Sequence, residues 1–184
     1  MSQVGIVKYS FLVYFSQPKS DRPIYRELHE RPVRTIVELG LGDGVRAQRM
    51  IEMAASLQPD AEIRYTGVDL FEARPADKPG MTLKQAYKML RLLDVKVQLI
   101  PGDPLAALTR AANGLTGTDL LVIGADQDPA SMASAWAFVP RMLHEGSLVF
   151  LERTAKGQTR FDLLTRAEID GLANIPKRRL RAAA

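Results

Sequence analysis

Between residues 33 and 152, short apolar runs alternate with amphipathic segments, and this alternation restricts the fold more than any other feature. Thr35 to Leu39 reads as a buried strand, Glu62 to Val68 as a second and Val95 to Ile100 as a third. Asp119 to Ile123 and Ser147 to Leu151 read as the fourth and fifth. The fourth is short and apolar throughout, as expected of a strand covered on both faces. Helical repeats lie between the strands. Ala47, Met50, Ile51 and Ala54 share one helical face. Leu83, Ala86, Tyr87, Leu90 and Leu93 share another, opened by a capping box from Thr82 to Gln85. Pro104 to Ala112 is helical. Met132, Ala135, Trp136, Val139 and Met142 form a further stripe, which Pro140 should kink and Gly146 should end. The pattern predicts a doubly wound, mostly parallel α/β sheet in three layers, with helices on both faces.

A length of 184 residues suits one domain. We divide it into an N-terminal cap segment (1–32), a ligand-binding core (33–152) and a short C-terminal segment (153–184). Hydrophobic residues make up 46% and charged residues 25%, which excludes wholesale disorder. Apolar runs such as Phe11 to Phe15 are too short to span a membrane, and the N-terminus does not read as a signal peptide. Cysteine is absent, so disulfides, a thiolate nucleophile and cysteine-ligated zinc are excluded, and a cytoplasmic location is expected. His29 and His144 lie too far apart in sequence for a two-histidine helical metal motif. The net charge is +4, and Lys177, Arg178, Arg179 and Arg181 account for the excess. The body is balanced, so nucleic acid is not an expected partner beyond a contact through this tail.

In open α/β sheets, ligands bind outside the carboxyl ends of the strands, near the switch in strand order. The first strand runs into Glu38-Leu39-Gly40-Leu41-Gly42-Asp43-Gly44, whose alternating glycines permit a sharp turn and close approach of a ligand. The helix that follows offers unpaired N–H groups to a negative charge. Asp69 ends the second strand, where a carboxylate can receive both ribose hydroxyls or cap a turn. Asp103, in Gly102-Asp103-Pro104, can accept from an adenine amine and can equally cap the next helix. Asp126 and Asp128 follow the fourth strand, Asp128 reading more simply as a cap before Pro129. The dinucleotide fingerprint would require glycine at Val45, and no Gly-Lys-Ser or Gly-Lys-Thr follows a glycine turn. A nicotinamide dehydrogenase and a P-loop enzyme are therefore both disfavoured.

These strand ends resemble the class I S-adenosylmethionine-dependent methyltransferases. Val37 to Gly44 looks like the first motif of that family, Gly67-Val68-Asp69 like the second and Gly102-Asp103 like the third. The resemblance implies a Rossmann-like methyltransferase fold with S-adenosylmethionine as cofactor. Glu38 and the turn of Gly40, Leu41, Gly42 and Gly44 would hold the methionine portion. Asp69, followed by Leu70, would hold the ribose, and Asp103, between Gly102 and Pro104, the adenine amine. Asp119 to Asp126 is similar to the Ile-Asp-Ala-Asp stretch of small O-methyltransferases, which bind a divalent metal. Here Gly124 and Glu152-Arg153 stand at the metal-ligand positions, which implies a metal-independent reaction. An Asn-Pro-Pro-Tyr-like motif is absent.

The family usually closes its sheet with an antiparallel hairpin. Few residues follow position 152, so a shortened hairpin is expected, with a strand at Arg160 to Leu164 and a helix at Thr165 to Ala173. Otherwise Ile6 to Phe15 supplies the edge, or a partner chain covers it in a homodimer. Ser20-Asp21-Arg22-Pro23 reads as a helix start before Ile24, Tyr25 and Leu28, in a segment that either packs on the core or covers the cofactor; His29 is then a surface residue. The expected function is methyl transfer to a small-molecule acceptor. Asp126 is the candidate general base, and Tyr14, Tyr25 and Trp136 are candidate acceptor contacts, although core packing explains Trp136 better. The alternative is a non-catalytic cofactor-binding or protein-interaction module.

Overall fold

Val37 of the first strand pairs with Thr66 on one side and Leu121 on the other, placing the first strand at the centre of a sheet. A computed structural model of the chain describes residues 10–174, apart from Pro79 and Lys156. The strands are β1 (Thr35–Leu39), β2 (Arg64–Asp69), β3 (Lys96–Pro101), β4 (Thr118–Ile123), β5 (Leu143–Ala155) and β6 (Gln158–Leu163). Their order is β3-β2-β1-β4-β5-β6, with β1 to β5 parallel and β6 antiparallel to β5. The order reverses between β1 and β4, which is the switch point where such sheets bind ligands.

Residues 10–15 are helical (α1). The other helices are α2 (Arg22–Glu30), α3 (Val45–Leu57), α4 (Leu83–Leu90), α5 (Pro104–Ala111), α6 (Pro129–Ala135), α7 (Val139–Met142) and α8 (Arg166–Ala173). Period-two alternation in the strands divides the core. Ile36, Leu120 and Val122 pack beneath α2 and α3 with Ile24, Leu28, Met50 and Ile51. Val37, Leu39, Leu121 and Ile123 face the opposite layer, with Leu108, Met132, Trp136, Val139 and Ile169. The expected three-layer, mostly parallel sheet is the observed one.

Several local expectations change. The long stripe from Met132 to Met142 is buried, but its helix is divided by a 3-10 turn at Trp136–Phe138 ahead of Pro140. Gly146 does not end that segment. It lies inside β5, which starts at Leu143 and shifts register against β4 between Thr118 and Leu120. The exposed His144, Glu145 and Gly146 interrupt the apolar pattern there, so the first residues of the strand do not read as one. Tyr87 is 53% exposed rather than part of the α4 core face, because α4 packs beside the edge strand β3 and only Ala86 and Leu90 are buried. Thr82 and Gln85 form the predicted capping box.

The hairpin is reduced to β5 and β6, followed at once by α8 with its Thr165–Glu168 capping box. Residues 10–15 do not supply a sheet edge; Phe11 and Phe15 stack one helical turn apart. Residues 6–9 and the basic residues of the tail lie outside the described residues. Among the described residues, no helix is long and apolar enough to cross a membrane.

Candidate functional site

At the switch point, Gly40 N–H donates to the Val68 carbonyl and Gly124 N–H to the Leu39 carbonyl. These bonds draw the ends of β1, β2 and β4 together. Gly40 and Gly44 have φ of +90° and +76°, a region that side-chain-bearing residues avoid. A Cβ on residue 40 would also collide with the Gln127 amide. Gly42 differs, because a Cβ there would meet no protein atom within 4 Å. Beside this turn is a cavity of about 480 Å³. Gln17, Pro18 and Asp21 from the N-terminal segment form one wall, Asp126 another, and Glu152 and Thr159 from the hairpin a third. The N-terminal segment thus covers the cavity as well as packing on the core.

Glu38 is fully buried and does not line this cavity. Its carboxylate accepts from Arg46 Nε at 2.7 Å and from the Tyr65 hydroxyl at 2.5 Å. Burial pushes the Glu38 carboxyl up, and the Arg46 charge opposes that shift. Burial and then Glu38 push the Tyr65 hydroxyl up. Burial works against the Arg46 cation, but Glu38 and Asp21 outweigh it and hold the guanidinium charged. Arg46 also donates to the Gly40 carbonyl at 3.0 Å and lies over the Phe161 ring. It lines the cavity in place of Glu38.

Asp21 does not cap α2. It turns inward, buried, 3.4 Å from the Tyr25 hydroxyl and 3.8 Å from Arg46. Burial raises its carboxyl, with Arg46 opposing and Glu152 adding to the rise.

Asp69 ends β2 as expected, but its oxygens are already bonded. One accepts from Leu41 N–H at 2.7 Å and the other from Phe71 N–H at 3.0 Å. Arg74 Nη2 contacts both. Phe71, in the turn between Asp69 and Arg74, holds a left-handed φ of 49°. Arg74 Nη1 lies 3.6 Å from Asp126, and Gln127 donates to Asp126 at 2.7 Å. The gap among Asp69, Leu70, Asp103, Pro104 and Gln127 holds about 30 Å³, room for water and far less than a nucleoside.

Asp103 caps α5 through Ala106 N–H and accepts from the Ser131 hydroxyl, both on Oδ1. The Ser131 bond holds its carboxyl below the usual range despite some desolvation. Gly102 N–H donates to the Asp69 carbonyl, tying β3 to β2. Asp128 caps α6 through Ser131 N–H, the simpler of its two readings. Glu152 accepts from Ala125 N–H, and Arg153 pairs with Asp162.

The expected acceptor contacts are not confirmed. Tyr25 is buried in the core and Tyr14 is 61% exposed on α1, while Trp136 packs in the core as its better reading expects; none lines the cavity beside the glycine turn. They read as contacts because aromatic type carries no directional information. Conversely, Arg46, Arg74, Asp21 and Gln127 carry no site signal in the sequence. Each enters through a turn or a long-range pair that periodicity does not encode.

No family model and no curated protein matches the chain. Solved structures do. A Plasmodium falciparum protein assigned as a protein-L-isoaspartate O-methyltransferase, in complex with S-adenosyl-L-homocysteine, matches with a TM-score of 0.53 and 11% identity. The match covers 90% of this chain and 83% of that one. A TehB-like methyltransferase of Corynebacterium glutamicum matches with a TM-score of 0.52 and 13% identity, over 96% and 80% of the two chains. MycE, from mycinamycin biosynthesis, matches with a TM-score of 0.45 and 19% identity over 82% of this chain; that match spans 35% of MycE. The chain has the fold of the class I S-adenosylmethionine-dependent methyltransferases.

Proposed function

We propose that this chain, built on the class I methyltransferase fold, binds S-adenosylmethionine and transfers a methyl group to a small-molecule acceptor without a metal. One observation carries the reading: β1, β2 and β3 end side by side in the glycine turn, Asp69 and Asp103, next to the switch in strand order. When bound, the cofactor supplies an electrophilic methyl group on a sulfonium.

The chain's part is to bind and orient, since methyl transfer depends mainly on alignment of the nucleophile. The residue types at these strand ends support such a ligand, with the gap beside Asp69 widening to admit its nucleoside. Gly40, Leu41, Gly42 and Gly44 permit close approach of its amino-acid arm, with Gly42 open on its free side. Glu38 acts there through Arg46, which it holds in place. Asp69 and Leu70 would take the ribose, and Gly102, Asp103 and Pro104 the adenine side. The cavity of about 480 Å³, which the glycine turn also lines, takes the amino-acid arm on that side and the acceptor beside it, with Asp126 on the wall to receive the acceptor's proton. Gly124 and Arg153 at the metal-ligand positions of the small O-methyltransferases support a metal-independent reaction.

A second reading, cofactor binding without catalysis, is favoured by Asp126 being engaged by Arg74 and Gln127. Turnover against a broad acceptor panel separates the two. We also place the chain in the cytoplasm, consistent with its lack of cysteine, and propose a homodimer in which a second copy covers the β6 edge.

Thermal unfolding with S-adenosylmethionine, S-adenosylhomocysteine or NADH tests the cofactor. A ligand at about 100 times its Kd adds roughly 2.7 kcal/mol, a shift on the order of 5–10 °C for a domain of this size. The expected result is a shift with both sulfur nucleotides and none with NADH, lost in Asp69→Ala. No shift with either sulfur nucleotide overturns the reading.

A further inference from the structure

Resting on this cofactor reading, we propose that Arg74 is a built-in competitor for the ribose, occupying Asp69 in the ligand-free chain and leaving it when nucleoside enters. Asp69 is almost fully buried at the end of β2, and a buried carboxylate without a partner is costly. A bound ribose would supply two hydroxyl donors. In this structure Arg74 supplies a guanidinium to the same two oxygens. The two backbone bonds to Asp69, from Leu41 and Phe71, do not require Arg74 and can persist with either partner.

The placement of Arg74 is specific. Phe71, in the turn that leads from Asp69 to Arg74, is left-handed, and such strained backbone concentrates at functional sites. Gly80 lies against the guanidinium so closely that a Cβ there would collide with it. With Arg74 in place, the space beside Asp69 is about 30 Å³, so nucleoside and guanidinium cannot occupy it together.

Departure from Asp69 need not expose an unpaired cation. Asp126 lies 3.6 Å from Arg74 Nη1, and its side chain is 42% exposed, so Arg74 can keep this second partner as it leaves. The exchange then couples the cofactor pocket to the wall of the acceptor cavity, which Asp126 also lines. A ligand that must displace an internal occupant binds with an affinity reduced by the fraction of chains in the open form.

Calorimetric titration of S-adenosylhomocysteine into the wild-type chain, Arg74→Ala and Arg74→Gln tests this, with ligand-free unfolding measured in parallel. Arg74→Gln keeps much of the stem and its packing, so one variant remains informative if the other does not fold. If more than nine chains in ten are closed, both variants bind at least about tenfold tighter than wild type, while their ligand-free Tm falls. That opposition between weaker folding and tighter binding is not produced by a merely structural arginine. Equal or weaker binding in the variants, with wild type binding normally, overturns the competitor and leaves the cofactor reading standing. Absence of binding in all three overturns both.

Discussion

Arg46 donates through Nε to Glu38 at 2.7 Å, joining the first turn of α3 to the end of β1 with the carboxylate fully buried and the guanidinium mostly so. The same guanidinium donates to the Gly40 carbonyl, so one side chain fixes both the buried acid and the start of the glycine turn.

Removing one partner of a buried pair leaves the other uncompensated, at a cost of about 3–5 kcal/mol. Arg46→Met should therefore lower Tm on the order of 10 °C. The double variant with Glu38→Gln should lose less than the sum of the single losses, a coupling that a double-mutant cycle in denaturant reads directly.

Asp21 carries a pH dependence of definite sign. Burial lifts its folded carboxyl above the unfolded value of 3.8; Arg46, Ser20 and Tyr25 oppose the rise and Glu152 adds to it. A raised carboxyl holds its proton longer when folded, so its contribution to stability falls as pH rises from the unfolded value through the folded one, then levels. Asp21→Asn removes that loss. The Tm difference between variant and wild type should grow across this window and then stay constant, followed by scanning calorimetry from about pH 3 to about pH 8.

Asp119 acts at the opposite end of the sheet. Its Oδ2 accepts from Arg34 N–H and Thr35 N–H, each at 2.8 Å, and its Oδ1 meets His144 Nε2 at 3.0 Å. Asp119→Ala leaves two strand-end donors without this acceptor and should cost about 1–3 kcal/mol. Titration with S-adenosylhomocysteine should give an unchanged Kd, because the clamp sits at the amino ends of β1 and β4 and the proposed site at their carboxyl ends.

Gly42→Ala separates folding from ligand contact. Its φ of +60° makes the added methyl cost about 1–2 kcal/mol, with no collision to add. The methyl enters the open side of the turn, so S-adenosylhomocysteine binding should weaken while the fold loses only that small amount of stability. Gly40→Ala should destabilise more, since its φ of +90° lies outside the left-handed well and its methyl must also displace the Gln127 and Asp126 side chains.

The periodicity of apolar residues, the glycine turn and the caps were enough to determine the layered parallel sheet, because each is a short-range consequence of residue type. Ala47, Met50, Ile51 and Ala54 face the core as their spacing requires, and Thr82 caps α4 as its partner at position 85 predicts. The positions of Asp69 and Asp103 at strand ends were legible for the same reason. What those carboxylates bond to was not. Asp69 meets Arg74 across a turn in which Phe71 takes a left-handed φ, and Glu38 is reserved by an arginine eight residues on and a tyrosine from the neighbouring strand. Partner choice in a desolvated site depends on distance and burial after the chain has folded, and only the tertiary structure decides those.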